Sequence, residues 1–113
     1  MELTKADKAQ LKSIIRSGIL KRCEEWLRDT QALIGKEYDN QENAFDRCME
    51  VTRRSKNFYK EACAREDYYS NTMLLPGAGV LLAEGYITDD DIAGCREELQ
   101  AAIRLFADVH TKE

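Results

Sequence analysis

Residues 39–72 read DNQENAFDRCMEVTRRSKNFYKEACAREDYYSNT, with neither glycine nor proline. Small and apolar residues return along the stretch at helical spacing. Ala44, Cys48, Val51, Ser55, Phe58, Ala62 and Tyr69 form one stripe, with Met49, Tyr59 and Cys63 beside it. That pattern predicts an amphipathic helix, roughly 50 Å long at its ordinary rise. Its apolar band is wide enough for neighbours on more than one side, which places this helix at the centre of a bundle.

Working back toward the N-terminus, the spacing predicts a first helix from Thr4 to Ile34, with Thr4 as N-cap and Asp7 three residues on as the reciprocal acid. Its apolar positions fall in two phases, Leu11, Ile14 and Ile15 first, then Leu20, Cys23, Leu27, Thr30 and Ile34. The phase changes near Gly18, which predicts a bend or a close helix approach there rather than a break into two helices. Gly35 suits a left-handed position closing this helix, and Asp39 with Glu42 forms the next capping box. So short a turn makes the two long helices antiparallel neighbours. A tight turn at Lys36 and Glu37 sets Trp26 near Arg47 and Cys48, and Ile14 or Ile15 near Phe58 and Tyr59. It also sets Cys23 within a turn of Cys48, close enough for a reversible pairing.

Beyond the long helix, residues 73–83 read MLLPGAGVLLA, the most apolar run in the chain. Pro76 fits the first turn of a short helix, and Gly77 and Gly79 let its backbone lie close to another. The run is expected either to close one end of the bundle or to form a homodimer surface. Thr88 and Asp91 make a further capping box. From Asp89 to His110 a last helix carries Ile92, Cys95, Leu99, Ala102, Phe106 and Val109 at alternating spacings of three and four, a regular core-facing seam. The phrase Gly85-Tyr86-Ile87-Thr88, followed by an acidic turn and Ile92, resembles the helix–turn–helix of short bacterial modules called SHOCT domains. That likeness implies a local fold and no function.

The fold class is therefore all-α: one helical domain over residues 1–113, a bundle built on a long antiparallel α-hairpin with a short third helix and a fourth C-terminal helix. With 43% hydrophobic and 34% charged residues the composition is that of a globular domain. The formal net charge is −4, and the excess of acid lies in the last third of the chain. A nucleic-acid-binding domain usually carries a basic excess.

Little in the sequence carries chemistry. The only histidine is His110, in the last turn of the last helix, and no Glu-x-x-His pair offers a di-iron site. Cys23, Cys48, Cys63 and Cys95 show no C-x-x-C spacing and read as small core residues. Asp89, Asp90 and Asp91 are consecutive, whereas a calcium loop alternates its acids. No enzyme activity, metal or cofactor is expected. The N-terminus lacks the apolar core of a secretory signal and no run is long enough to span a membrane, so the expected location is the cytoplasm. The best candidate surface is the basic patch of Arg53, Arg54, Lys56 and Lys60, with Asn57 and Tyr59 among them. The leading expectation is a small adaptor or regulatory protein acting by protein–protein interaction with an unknown partner. The alternative is a nucleic-acid-associated accessory protein using residues 53–60 to hold phosphates and stack a base.

Overall fold

The computed structural model describes residues 1–71 and 73–112, and all the secondary structure in them is helical. Helix α1 spans Lys5–Gly35, α2 Gln41–Asn71, α3 Leu74–Glu84, α4 Asp89–Ile92 and α5 Glu97–Lys112. The principal extents are 58 × 25 × 22 Å and the radius of gyration is 17.5 Å. A compact chain of this length has a radius of gyration of about 13 Å, so the molecule is distinctly elongated.

The elongation follows from where the core sits. Its buried apolar residues are Leu11, Ile15 and Ile19 from α1, Ala78 and Leu81 from α3, then Ile87, Ile92, Cys95, Leu99, Ile103 and Ala107. None comes from α2. The N-terminal half of α1 joins α3, α4 and α5 to form a head, and the rest of α1 leaves it with α2 as a two-helix arm. The expectation that the second long helix stands at the centre is therefore corrected. Along most of its length α2 has one neighbour, because the wide band on its sequence includes a stripe that faces solvent. The central element is α3, which packs chiefly on α5 and α1.

Glycine sets how closely α3 approaches its neighbours. A Cβ at Gly79 would stand 2.4 Å from the Phe106 Cβ and 2.9 Å from the Ala107 backbone nitrogen, so α3 and α5 touch at that point nearly backbone to backbone. Gly18 plays a similar part on α1, where a Cβ would come within 2.8 Å of Ile87 and 3.1 Å of Leu81. Helix α1 continues unbroken across Gly18, so the change of phase marks the place where its partner changes from the head to α2. Gly35 is helical, and the only left-handed residue among those described is Gly85, with φ 84°, which ends α3 by passing its N–H and that of Tyr86 back to Leu82 and Leu81.

The expected last helix is divided. Residues 93–96 turn between α4 and α5, and the Gln100 side-chain amide donates to the Ala93 and Cys95 carbonyls left free there. The division rotates the seam: Cys95, Leu99, Ile103 and Ala107, four apart, face inward. Phe106 and Val109, assigned to the core seam by spacing, are 36% and 49% exposed.

One charged side chain lies inside the head. Asp7 is buried; it caps α1 with Thr4 and accepts from Arg96 Nη2 at 2.9 Å. Arg96 thereby ties the α4–α5 turn to the start of α1, and Gln10 adds a bond to the Gly94 carbonyl. The Arg96 guanidinium, followed by the Thr4 amide, lowers the Asp7 carboxyl from 3.8 to about 2. A carboxyl depressed on folding adds stability above its unfolded value and loses it as the pH falls through the folded one. Between pH 4 and pH 2 the melting temperature is therefore expected to fall more steeply in the native protein than in Asp7→Asn. Parallel melting curves over that interval would show that this pair does not contribute.

Candidate functional site

The arm is built as an antiparallel pair whose two faces differ. Arg16 pairs with Glu66, Arg22 with Glu61 at 2.8 Å, and the Trp26 ring stacks on Phe58 at 4.8 Å. These pairs fix the level of one helix against the other and correct the expected one, since Trp26 meets Phe58 in place of Arg47 and Cys48. The connection is longer than the tight turn read from Gly35. Residues 36–40 run along the side of α2, Arg47 donates to the Glu37 carbonyl and covers the Tyr38 ring, and Asn40 in place of Asp39 caps α2 by accepting from the Asn43 amide. In this register Cys23 and Cys48 stand about 18 Å apart along the arm, and both are free thiols.

One face carries charge. Arg22 contacts Glu61 and lies over Phe58, Arg65 joins Glu61 to Glu84 of α3, and the Tyr86 hydroxyl donates to Glu25. The guanidinium of Arg22 holds the Glu61 carboxyl below the usual carboxylate range. This network fastens the base of the arm to the head.

The opposite face is apolar and open. On α1 Leu20, Leu27 and Ile34 lie seven residues apart in one line, and on α2 Phe45, Thr52 and Tyr59 repeat the interval. Leu27, Ile34 and Phe45 are 61%, 60% and 62% exposed, and Tyr59 is 71% exposed. The Arg16–Glu66 pair closes this face toward the head. Toward the tip Ile34, Tyr38, Ala44, Cys48, Val51 and Thr52, with Arg47 among them, line a shallow groove of about 300 Å³. Tyr38 and Met49, 58% and 47% exposed, stand at the edges of this face. Cys48 and Cys63 are exposed on the α2 side of this face.

The basic patch predicted from sequence is divided by the helix. Arg53, Lys56 and Lys60 share the outer ridge of α2, all exposed and, among the described residues, without an ion-pair partner. Arg54 turns to the charged face and pairs with Glu50 at 2.7 Å. Residues 73–83 are engaged within the chain: Gly77, Ala78, Gly79 and Leu81 are buried, with α5 along one side.

Among the described residues no group of His, Cys, Asp and Glu is gathered closely enough to hold a metal ion, and no helix is long and apolar enough to cross a membrane. The apolar face was missed in the sequence because Leu20, Leu27, Ile34 and Cys48 were assigned to the core. The usable signal was that two stripes on one helix cannot both face a single neighbour. Comparison with protein families, with curated proteins and with solved structures finds no match to this chain.

Proposed function

We propose that this chain is a small cytoplasmic interaction protein, without catalysis of its own, that docks a helical partner on the apolar face of its arm. The observation that carries this reading is the line of Leu20, Leu27 and Ile34 beside Phe45 and Tyr59, left open on a two-helix arm. Side chains seven apart lie in one line along a helix, and such a line on each of two neighbouring helices leaves a furrow between them in which another helix can lie. The charged face has its own bonds to the head and needs no partner.

The test is affinity capture from the native host with three full-length baits. A protein retained by the native bait should be lost with Leu27→Lys combined with Ile34→Lys, and kept with Arg53→Glu combined with Lys56→Glu. Retention unaffected by the first pair of substitutions would overturn the reading. Nucleic acid retained at low salt and lost with the second pair would favour an accessory role for the ridge of Arg53, Lys56 and Lys60, since phosphate contacts weaken steeply with salt.

A further inference from the structure

Resting on that reading, we infer that the helical partner is a second copy of this chain, docked with the two arms antiparallel about a two-fold axis at Leu27. The argument begins with the apolar line on α1. Leu20 and Ile34 lie seven residues to either side of Leu27. A two-fold axis at Leu27 therefore sets Leu27 on its own copy and Leu20 across from Ile34 of the second copy, and the reverse. A self-complementary surface of this kind is what an isologous dimer requires.

Charge agrees with this placement. Glu24 and Arg28 both lie on the flank of that line away from α2. Although they are four residues apart, neither forms an ion pair within the chain among the described residues. The two-fold brings Glu24 to within about 3 Å, along the axis, of the level of Arg28 in the second copy, so two reciprocal pairs form at the rim. The two Lys56 side chains come level with each other on the outer edge, where solvent and salt screen them.

A separate observation on α2 fits the same axis. The pairs Arg16–Glu66, Arg22–Glu61 and Trp26–Phe58 set the level of α2 against α1. Carried along the arm, that register puts Cys63 level with Leu20 and Cys48 level with the end of α1 near Ile34. An axis that exchanges the levels of Leu20 and Ile34 therefore sets Cys48 beside Cys63 of the second copy, twice. The alternative two-fold, parallel to the arm, brings α2 over α1 of the second copy, where the thiol nearest Cys63 is the half-buried Cys23 and Cys48 has no cysteine at its level.

The experiment uses the purified full-length protein. Sedimentation from low micromolar to several hundred micromolar should show a monomer–dimer equilibrium. Leu27→Lys should leave a monomer of unchanged helicity that melts like the native chain at concentrations where the native dimer is dissociated. Glu24→Arg should weaken the dimer several-fold, and adding Arg28→Glu should restore it. A short bis-maleimide should link the native chain into a covalent dimer, and either Cys48→Ser or Cys63→Ser should abolish that product. Leu27→Cys in the chain lacking both thiols should link to itself. A native protein that stays monomeric overturns the inference, as does a linked dimer that persists in either single serine variant. If the purified chain is monomeric while capture still depends on Leu27 and Ile34, the second copy is wrong and the docking face stands.

Discussion

Leu99→Ala is expected to destabilise the protein by about 2–5 kcal/mol, a large share of the roughly 5–15 kcal/mol that holds a domain together. Leu99 is fully buried on α5 and belongs to the cluster that includes Leu11, Ile15, Leu81 and Ile103. Those neighbours come from three helices whose backbones are held by other contacts, so the space left by the missing atoms closes only in part. Chemical denaturation of the two chains measures the effect. The same truncation at Phe106 should cost less, because that residue is 36% exposed and stands outside the buried cluster. Equal losses at the two positions would mean that the inward seam of α5 is misplaced.

The second large effect is expected from Gly79→Ala. Alanine is the better helix former by about 1 kcal/mol, so on an open helix this change would stabilise. Here the new methyl would fall 2.4 Å from the Phe106 Cβ, 2.9 Å from the Ala107 nitrogen and 3.0 Å from the Phe106 carbonyl carbon. Rotation about a side-chain bond moves none of these atoms, so relief requires α3 and α5 to separate. Overpacking of that kind costs typically 1–3 kcal/mol, and losing the contact between the two most closely packed helices puts the change at or above the upper end. Gly94→Ala is the control: nothing lies within 4 Å of the position where its Cβ would stand. A melting temperature raised by Gly79→Ala would refute the close approach.

Where the sequence could be read, it was through short-range rules. Thr4 with Asp7 forms the reciprocal cap that its spacing predicts, and Asp91 accepts from the Thr88 amide and hydroxyl at the start of α4. The small residues of α3 and Gly18 mark close approaches, as small residues on otherwise apolar faces suggest. The misreadings come from chain geometry beyond a few residues. Hydrophobic period does not distinguish the stripe of α2 that meets α1 from the line that meets solvent, because Phe45 and Tyr59 are as apolar as Phe58. The level of the arm depended on the connection of residues 36–40, whose path along α2 is set by Arg47 and Asn40 and by no spacing rule. Gly94, inside a seam that otherwise looked continuous, was the available sign that α4 and α5 are separate. The Asp7–Arg96 pair spans 89 positions and leaves no trace in either local sequence. The apolar face of the arm was visible only once the register of its two helices was known.

The bond from Arg96 to Asp7 also has a consequence for the order in which the chain acquires structure. Leu11 and Ile15 are synthesised long before their partners on α4 and α5. The arm, whose helices are joined by residues 36–40, closes a short loop and can form while synthesis continues. The head must instead close nearly the whole chain, and contacts so distant in sequence slow folding because the entropy of closure is lost before they form. During that interval the N-terminal half of α1 displays its apolar residues without cover, together with the uncovered face of the arm. The nascent protein is therefore aggregation-prone until α4 and α5 have been made, and the turn at residues 93–96 fastens the head shut.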